Sequence, residues 1–257
     1  MPRLDTTREA AAFSQTLVTT PPDRVTACNG WTTHELLAHL VAGGIEIATI
    51  VGAFLENAAI QPTRSFDERE ANFRAMDPHV LRKAFLESGS SLIDLLVTMN
   101  ERSEVATAPF TGWEMNAITM ITHVRSELAL HRWDLVGDDE LSFELLSQPE
   151  LTIHAVRSLN AFASLQENPT KRAKVAGLSS DFAVRIRTVD QLDVMATVQD
   201  GIGQLELADP VDGPALFMDA AARVLMLWGR RPTQAHDIRS TLDAEDLAHL
   251  HKWMYGT

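Results

Sequence analysis

Between positions 123 and 134 the chain reads His123-Val-Arg-Ser-Glu127-Leu-Ala-Leu-His131-Arg-Trp-Asp134. His123, Glu127 and His131 are spaced four apart, so on an α-helix their directions drift by only about 40° per step and they share one face. Met120, Val124 and Leu128 lie on that same face. Burying a carboxylate and an imidazole among methyl groups costs roughly several kcal/mol unless something compensates. A divalent cation compensates, because carboxylate oxygen and imidazole nitrogen both suit zinc. His39 lies on the inward stripe of an earlier helical segment and can face the same core. His39, Glu127 and His131 would then make a two-histidine, one-carboxylate site with a coordination position left for water or substrate, as catalytic zinc sites require. The bland alternatives are a hydrogen-bonded core histidine and a surface i,i+4 Glu–His pair, and spacing alone leaves them open.

The neighbouring polar residues divide the same way. His123 sits two turns before His131, too far to share one metal with it, and reads as core or pocket wall. Asp134 either orients the His131 imidazole through its other ring nitrogen or is a surface residue at a helix end. His34 lies on a different face from His39 and reads as exposed. Arg230 and Arg231 follow the apolar run Val224-Leu225-Met226-Leu227-Trp228. They are either cations complementing a helix C-terminus or, for Arg230, a guanidinium for a substrate carboxylate. Cys28 reads as a small buried residue, and His249 and His251, two apart, do not share a helix face. For the five tryptophans, packing at element ends is a sufficient account.

The elements that must position these residues come in two textures. Ala10, Phe13 and Leu17 open an amphipathic helix. Thr32 and Glu35 are spaced as a capping box, so a helix should start just after Trp31 with Leu36, His39, Leu40, Gly43, Ile47, Ile50 and Phe54 inward. A polar loop is expected over 57–76. Asp77-Pro78 reads as an N-cap followed by proline at the first helical position, and Leu81, Phe85, Leu92, Leu95 and Met99 keep helical register. A loop at 108–113 and a fourth helix over 114–135 complete a four-helix bundle. After Gly137 the pattern breaks. One more helix fits 150–165; alternation from Asp181 gives two half-buried strands, Gly201-Ile-Gly203 a tight connection and 204–208 a third strand; helices fit 214–228 and 243–255. The fold class is α+β, with domains at 1–140 and 141–257.

Composition excludes several functions. The chain has 257 residues and a net charge of −13, so phosphate-driven binding of nucleic acid is not expected. A single cysteine rules out an internal disulfide and any site needing two thiolates. The opening MPRLDTTREAAAF lacks the apolar core of a signal peptide. The most apolar stretch, 40–55, is 16 residues long and contains Glu46, too short and too charged to span a bilayer. The expectation is a soluble cytoplasmic protein without a membrane partner.

Three segments also resemble a family. Trp31-Thr-Thr-His-Glu-Leu-Leu-Ala-His39-Leu, Glu127-Leu-Ala-Leu-His131-Arg-Trp-Asp134 and Leu227-Trp228-Gly229-Arg230-Arg231-Pro232 are similar, in order and rough spacing, to motifs of the mycothiol-dependent maleylpyruvate isomerases of actinobacteria. The resemblance spans about residues 5 to 255. It implies a DinB-like metal-binding bundle followed by an α+β domain similar to sterol-carrier-type folds. It also implies zinc ligands at His39, Glu127 and His131, an arginine at Arg230 that reaches the active site, and mycothiol as cofactor. The chain departs from the family after Asp134, where Leu-Val-Gly-Asp-Asp-Glu replaces an Ala- and Gly-rich continuation.

Zinc lowers the pKa of a bound thiol or water and so supplies thiolate or hydroxide at neutral pH. A thiolate that adds to an electrophilic double bond, permits rotation or transfer and then leaves supports isomerisation of an unsaturated diacid or conjugation of a thiol. The expectation is therefore a thiol-using isomerase or transferase acting on a small electrophilic, carboxylate-bearing substrate. The alternatives are a zinc hydrolase on the same scaffold and a non-catalytic ligand-binding protein.

Overall fold

The structure, a computed structural model, describes residues 6–28, 30–178, 180–231 and 237–255. Pro232 of the third motif lies outside the described residues. The chain divides into two compact units, 1–142 and 143–257.

In the first unit α1 (Thr7–Thr19), α2 (Thr33–Leu55), α4 (Pro78–Arg102) and α5 (Ala117–Val136) bury one apolar cluster. Phe13 and Leu17 of α1, Leu36 and Leu37 of α2, Leu81 of α4, and Leu128 and Leu135 of α5 all belong to it. Three of these helices, α2, α4 and α5, begin where a side chain satisfies their orphan amides. Thr32 and Glu35 form the capping box of α2, Asp77 accepts from the amides of His79 and Val80, and Asn116 accepts from Thr119.

Two loops expected from the sequence contain regular structure. Within 57–76 lies α3 (Phe66–Arg74), opened by a second capping box of Ser65 and Glu68. Within 108–113 lies an antiparallel hairpin of β1 (Thr107–Phe110) and β2 (Trp113–Asn116). Its turn uses Thr111 and Gly112 at φ 50° and 84°, the left-handed pair that two-residue hairpins require. The hairpin takes the first residues of the expected fourth helix, which starts at Ala117 instead.

The helix α2 is 23 residues long, more than the apolar run alone suggested. It is the one helix among the described residues long and apolar enough to cross a membrane, yet half of its most apolar window is buried within the protein. Glu46 in its middle is buried and held by Arg64, whose Nη2 lies 2.7 Å from it. That is the environment of a core helix.

The second unit is α+β. After α6 (Glu140–Leu146), α7 (Pro149–Ala161) and α8 (Pro169–Val175) comes a five-stranded sheet in the order β5-β4-β3-β6-β7. Its strands are β3 (Phe182–Arg187), β4 (Asp193–Gln199), β5 (Ile202–Ala208), β6 (Leu216–Met218) and β7 (Ile238–Ser240), all antiparallel pairs except β3 beside β6. Alternation buries Phe182, Val184 and Ile186 beneath the helices while Arg185 and Arg187 turn to the other face and bind Asp193 at 2.8 and 2.9 Å. The helix expected over 214–228 is split: β6 takes its start, Asp219 caps Ala222, and α9 runs Ala220–Leu227. The final helix, α10, spans Ala244–Tyr255.

Candidate metal centre

His39, Glu127 and His131 come together. Each offers one ligand atom, and these atoms all lie within 4.8 Å of one another. Glu127 Oε2 stands 3.2 Å from His39 Nε2 and 3.4 Å from His131 Nε2. Those two separations match the edge of a tetrahedron with metal–ligand bonds of 2.0–2.1 Å, about 3.3 Å. Glu127 keeps 19% of its side chain exposed, so the cluster is open on one side.

Both rings are fixed from behind by a carboxylate. His39 Nδ1 lies 2.7 Å from Glu70 Oε1, and His131 Nδ1 lies 2.8 Å from Asp134 Oδ2. An ionised carboxylate only accepts, so each Nδ1 carries a proton and Nε2 is the ring nitrogen turned toward Glu127. Asp134 is 3% exposed, which removes the surface alternative for it.

The charges of the cluster are strongly coupled. Burial pushes the Glu127 carboxyl up, but hydrogen bonds from His131 and His39 outweigh it and hold the group well below the usual carboxylate range. Burial opposes charging of His131, yet Asp134 and Glu127 raise its pKa to about 9. Burial raises Glu70 as well, and His39 and Arg74 more than offset it. A proton on His131 thus balances the carboxylates of Asp134 and Glu127.

The helix α3 supplies this arrangement and is pinned to α2 at both ends. At its start the backbone amide of Arg64 donates to Glu46 Oε1 at 2.9 Å and the guanidinium grips Oε2. At its end His34 Nε2 meets the carbonyl of Arg74 at 3.0 Å. His34 is accordingly half-buried rather than exposed. Glu70, fully buried, binds Arg74 Nη2 at 2.6 Å with its other oxygen. Trp31, one residue before the α2 cap, closes a wall: its ring centroid lies 5.1 Å from that of His39 and 6.3 Å from that of His131.

Sequence reasoning missed Glu70 and Trp31 as parts of the site. The Ser65-x-x-Glu68 capping box was the available signal for a helix that would turn Glu70 inward. His123 is buried with its ring 5.5 Å from that of Phe110, and burial lowers its pKa, as befits a pocket-wall imidazole. Cys28 is half-buried rather than a core residue. In the second unit Arg230 is half-buried at the end of α9, where its Nη1 donates to the Trp228 carbonyl at 2.9 Å. The Arg231 guanidinium lies 5.4 Å from the Tyr255 ring centroid.

A helical bundle that turns two carboxylate-backed histidines and a glutamate toward one point, joined to an α+β unit, defines a two-domain class of candidate metal proteins. Residues 4–136 match the family model described as the mycothiol maleylpyruvate isomerase N-terminal domain, and the chain belongs to that family. Its fold is similar to the crystal structure of a mycothiol-dependent maleylpyruvate isomerase, with a TM-score of 0.57 at 15% identity over 92% of this chain and 90% of that one. A histidine-to-alanine variant of such an isomerase gives a TM-score of 0.58 with the same identity and coverage. Comparison with curated proteins finds no match.

Proposed function

We propose that this chain is a metal-dependent enzyme that uses a low-molecular-weight thiol, mycothiol, to isomerise or conjugate a small electrophilic substrate bearing a carboxylate. The observation that carries the reading is the convergence of His39 Nε2, Glu127 Oε2 and His131 Nε2 with both Nδ1 atoms already committed to Glu70 and Asp134. Membership of the family supports the thiol and the isomerase chemistry. The donor set of two imidazoles and one carboxylate fits zinc, which when bound lowers the pKa of a coordinated thiol.

The protein's own contribution is positional. Glu70 and Asp134 hold the two imidazoles in one tautomer, so the site costs little reorganisation when loaded. Trp31 shields one side of the pair, and the partial exposure of Glu127 leaves a way in. The chain carries a net charge of −13, so an anionic substrate needs a local cation; the C-terminal motif proposes Arg230 for that role.

The test is metal content by mass spectrometry for wild type, His39→Ala and Glu127→Ala, followed by turnover of an unsaturated diacid with and without added mycothiol. About one zinc per chain, lost in both variants while helix content persists, together with thiol-dependent turnover, is the expected result. Zinc with thiol-independent hydrolysis would reassign the site to a hydrolase. A wild type that folds and takes up no zinc would end the enzymatic reading.

A further inference from the structure

Arg69 on α3 is 5% exposed, yet it belongs to no ion pair among the described residues. Its Nε is buried without a hydrogen-bond partner. The guanidinium is held by rings instead: its Cζ lies 4.4 Å from the centroid of Phe66 and 5.9 Å from that of Phe110. Burial pushes its pKa down, while Glu70, Glu127 and Glu46 act against that. Arginine stays protonated in such a setting, so this is a buried cation with donor groups to spare.

The nearby carboxylates each spend at least one oxygen on partners other than Arg69. Glu70 serves His39 and Arg74. Glu46 is held by three donors of Arg64. Glu127 serves both His39 and His131 through the single oxygen Oε2. Leaving a buried charged donor unmatched is costly, and a fold tolerates it where a ligand completes the site.

The rings around Arg69 also line the metal centre. The Phe66 ring centroid is 5.6 Å from that of His39, and Phe110 packs on His123, one helical turn before Glu127. Phe66 is 37% exposed, so this side of the site reaches the surface.

We propose that Arg69 is the anion receptor of the metal pocket, binding the carboxylate of a short-chain acid whose remainder lies beside His39 and Glu127. The planar fork of the guanidinium matches a carboxylate bidentately, and the two phenyl rings hold the fork in place. The steps of 4.4 and 5.6 Å from Arg69 through Phe66 to His39 limit the ligand to a short chain. This assignment rests on the reading of His39, Glu127 and His131 as a cation site, and it is separate from any role of Arg230.

The experiment uses the full chain loaded with zinc, as wild type, Arg69→Met and Arg69→Lys. Zinc content and circular dichroism are measured first, then calorimetric binding of maleate, with its uncharged dimethyl ester as control. Maleate binding weakened about tenfold or more in both variants, with zinc content and helix signal retained, is the expected result. Arg69→Lys keeps the charge and most of the stem, so it reports even if Arg69→Met fails to fold. Wild-type maleate affinity in a zinc-loaded variant would overturn the proposal and leave the metal centre standing, as would absence of maleate binding by zinc-loaded wild type. Failure of wild type to take up zinc would overturn the metal-centre reading and this proposal with it.

Discussion

Replacing Glu70 should weaken the metal centre without touching a ligand atom. Glu70 Oε1 accepts from His39 Nδ1 at 2.7 Å in a fully buried position, a charge-assisted hydrogen bond. Such bonds contribute about 1.5–3 kcal/mol, roughly twice a neutral one. In Glu70→Gln an amide oxygen can still accept from Nδ1, but the charge is gone and the amide NH2 then faces Arg74. The loss is about half the bond, on the order of 0.7–1.5 kcal/mol, or roughly three- to tenfold in zinc affinity. In Glu70→Ala the whole bond goes and the ring is free to turn, so the loss approaches about 100-fold. The assay is a competition titration against a chromophoric zinc chelator, with circular dichroism to confirm the bundle. Glu70 acts through His39 and Asp134 through His131, so the losses of Glu70→Gln and Asp134→Asn should multiply in the double variant. Wild-type zinc affinity in both Glu70 variants, alongside loss of binding in His39→Ala, would show that Glu70 only packs.

Zinc uptake should depend on pH through His131, whose pKa in the metal-free protein is raised from 6.5 to about 9. Below that value zinc must displace a proton, so apparent affinity should rise by up to about tenfold per pH unit from neutrality and level off as pH passes 9. The same proton stabilises the metal-free fold fully below 6.5, and the stabilisation is lost as pH rises through about 9; Asp134→Asn should flatten both profiles in titration and thermal melts. Asp139, paired with Arg132 at 2.6 Å, has its pKa lowered from 3.8 to about 2 by that guanidinium. Its contribution is present above 3.8 and lost as pH falls through about 2, so the stability difference between wild type and Asp139→Asn should shrink on acidification. With 42% of the Asp139 side chain exposed, the difference at neutral pH should be under about 1 kcal/mol, read by chemical denaturation. In the second unit a Cβ on Gly203 would sit 2.3 Å from the carbonyl oxygen of Pro169, which is backbone and cannot step aside. Gly203→Ala should cost about 1–3 kcal/mol and lower the melting temperature while leaving zinc content unchanged.

The three candidate ligands were legible because their spacing contradicts their surroundings. Polar groups four apart on an apolar helix face demand a partner, and His39 on another inward stripe offered one. The N-caps at Thr32 and Asp77 were legible for the same kind of reason, a local residue type tied to a local hydrogen bond. What stayed hidden were features whose signal is short or non-local. A three-residue strand such as β6 or β7 has too few positions to show alternation, and Leu216 to Met218 reads equally well as the first turn of the helix that Asp219 caps. The hairpin at 107–116 was masked by proline and glycine, which mark a turn without saying that strands flank it. Glu70 was hidden most completely. It sits in a charged nine-residue segment, and only the pairing of Ser65 with Glu68 announced a helix there.

That segment is the weak point of the design and tests the whole reading. A helix as short and charged as α3 is not stable alone, so tertiary contacts must hold it. Besides the Glu70–His39 bond, it is anchored on α2 by the grip of Arg64 on buried Glu46 and by the contact of His34 with the Arg74 carbonyl. Glu70 and Arg69 are consecutive on this helix, one facing His39 and the other held between Phe66 and Phe110. Loosening the first anchor should therefore degrade two functions at once. In Glu46→Gln the ion pair is lost but the side-chain shape is kept, so α2 should persist. Zinc affinity and maleate affinity should then both fall, by roughly three- to tenfold, whereas Glu70→Gln lowers chiefly the first and Arg69→Met chiefly the second. Hydrogen exchange gives an independent reading: amides of 66–74 should exchange faster in Glu46→Gln while those of α4 keep their protection. Unchanged protection across 66–74, or a fall in only one of the two affinities, would mean that α3 does not carry the metal support and the anion receptor as one unit.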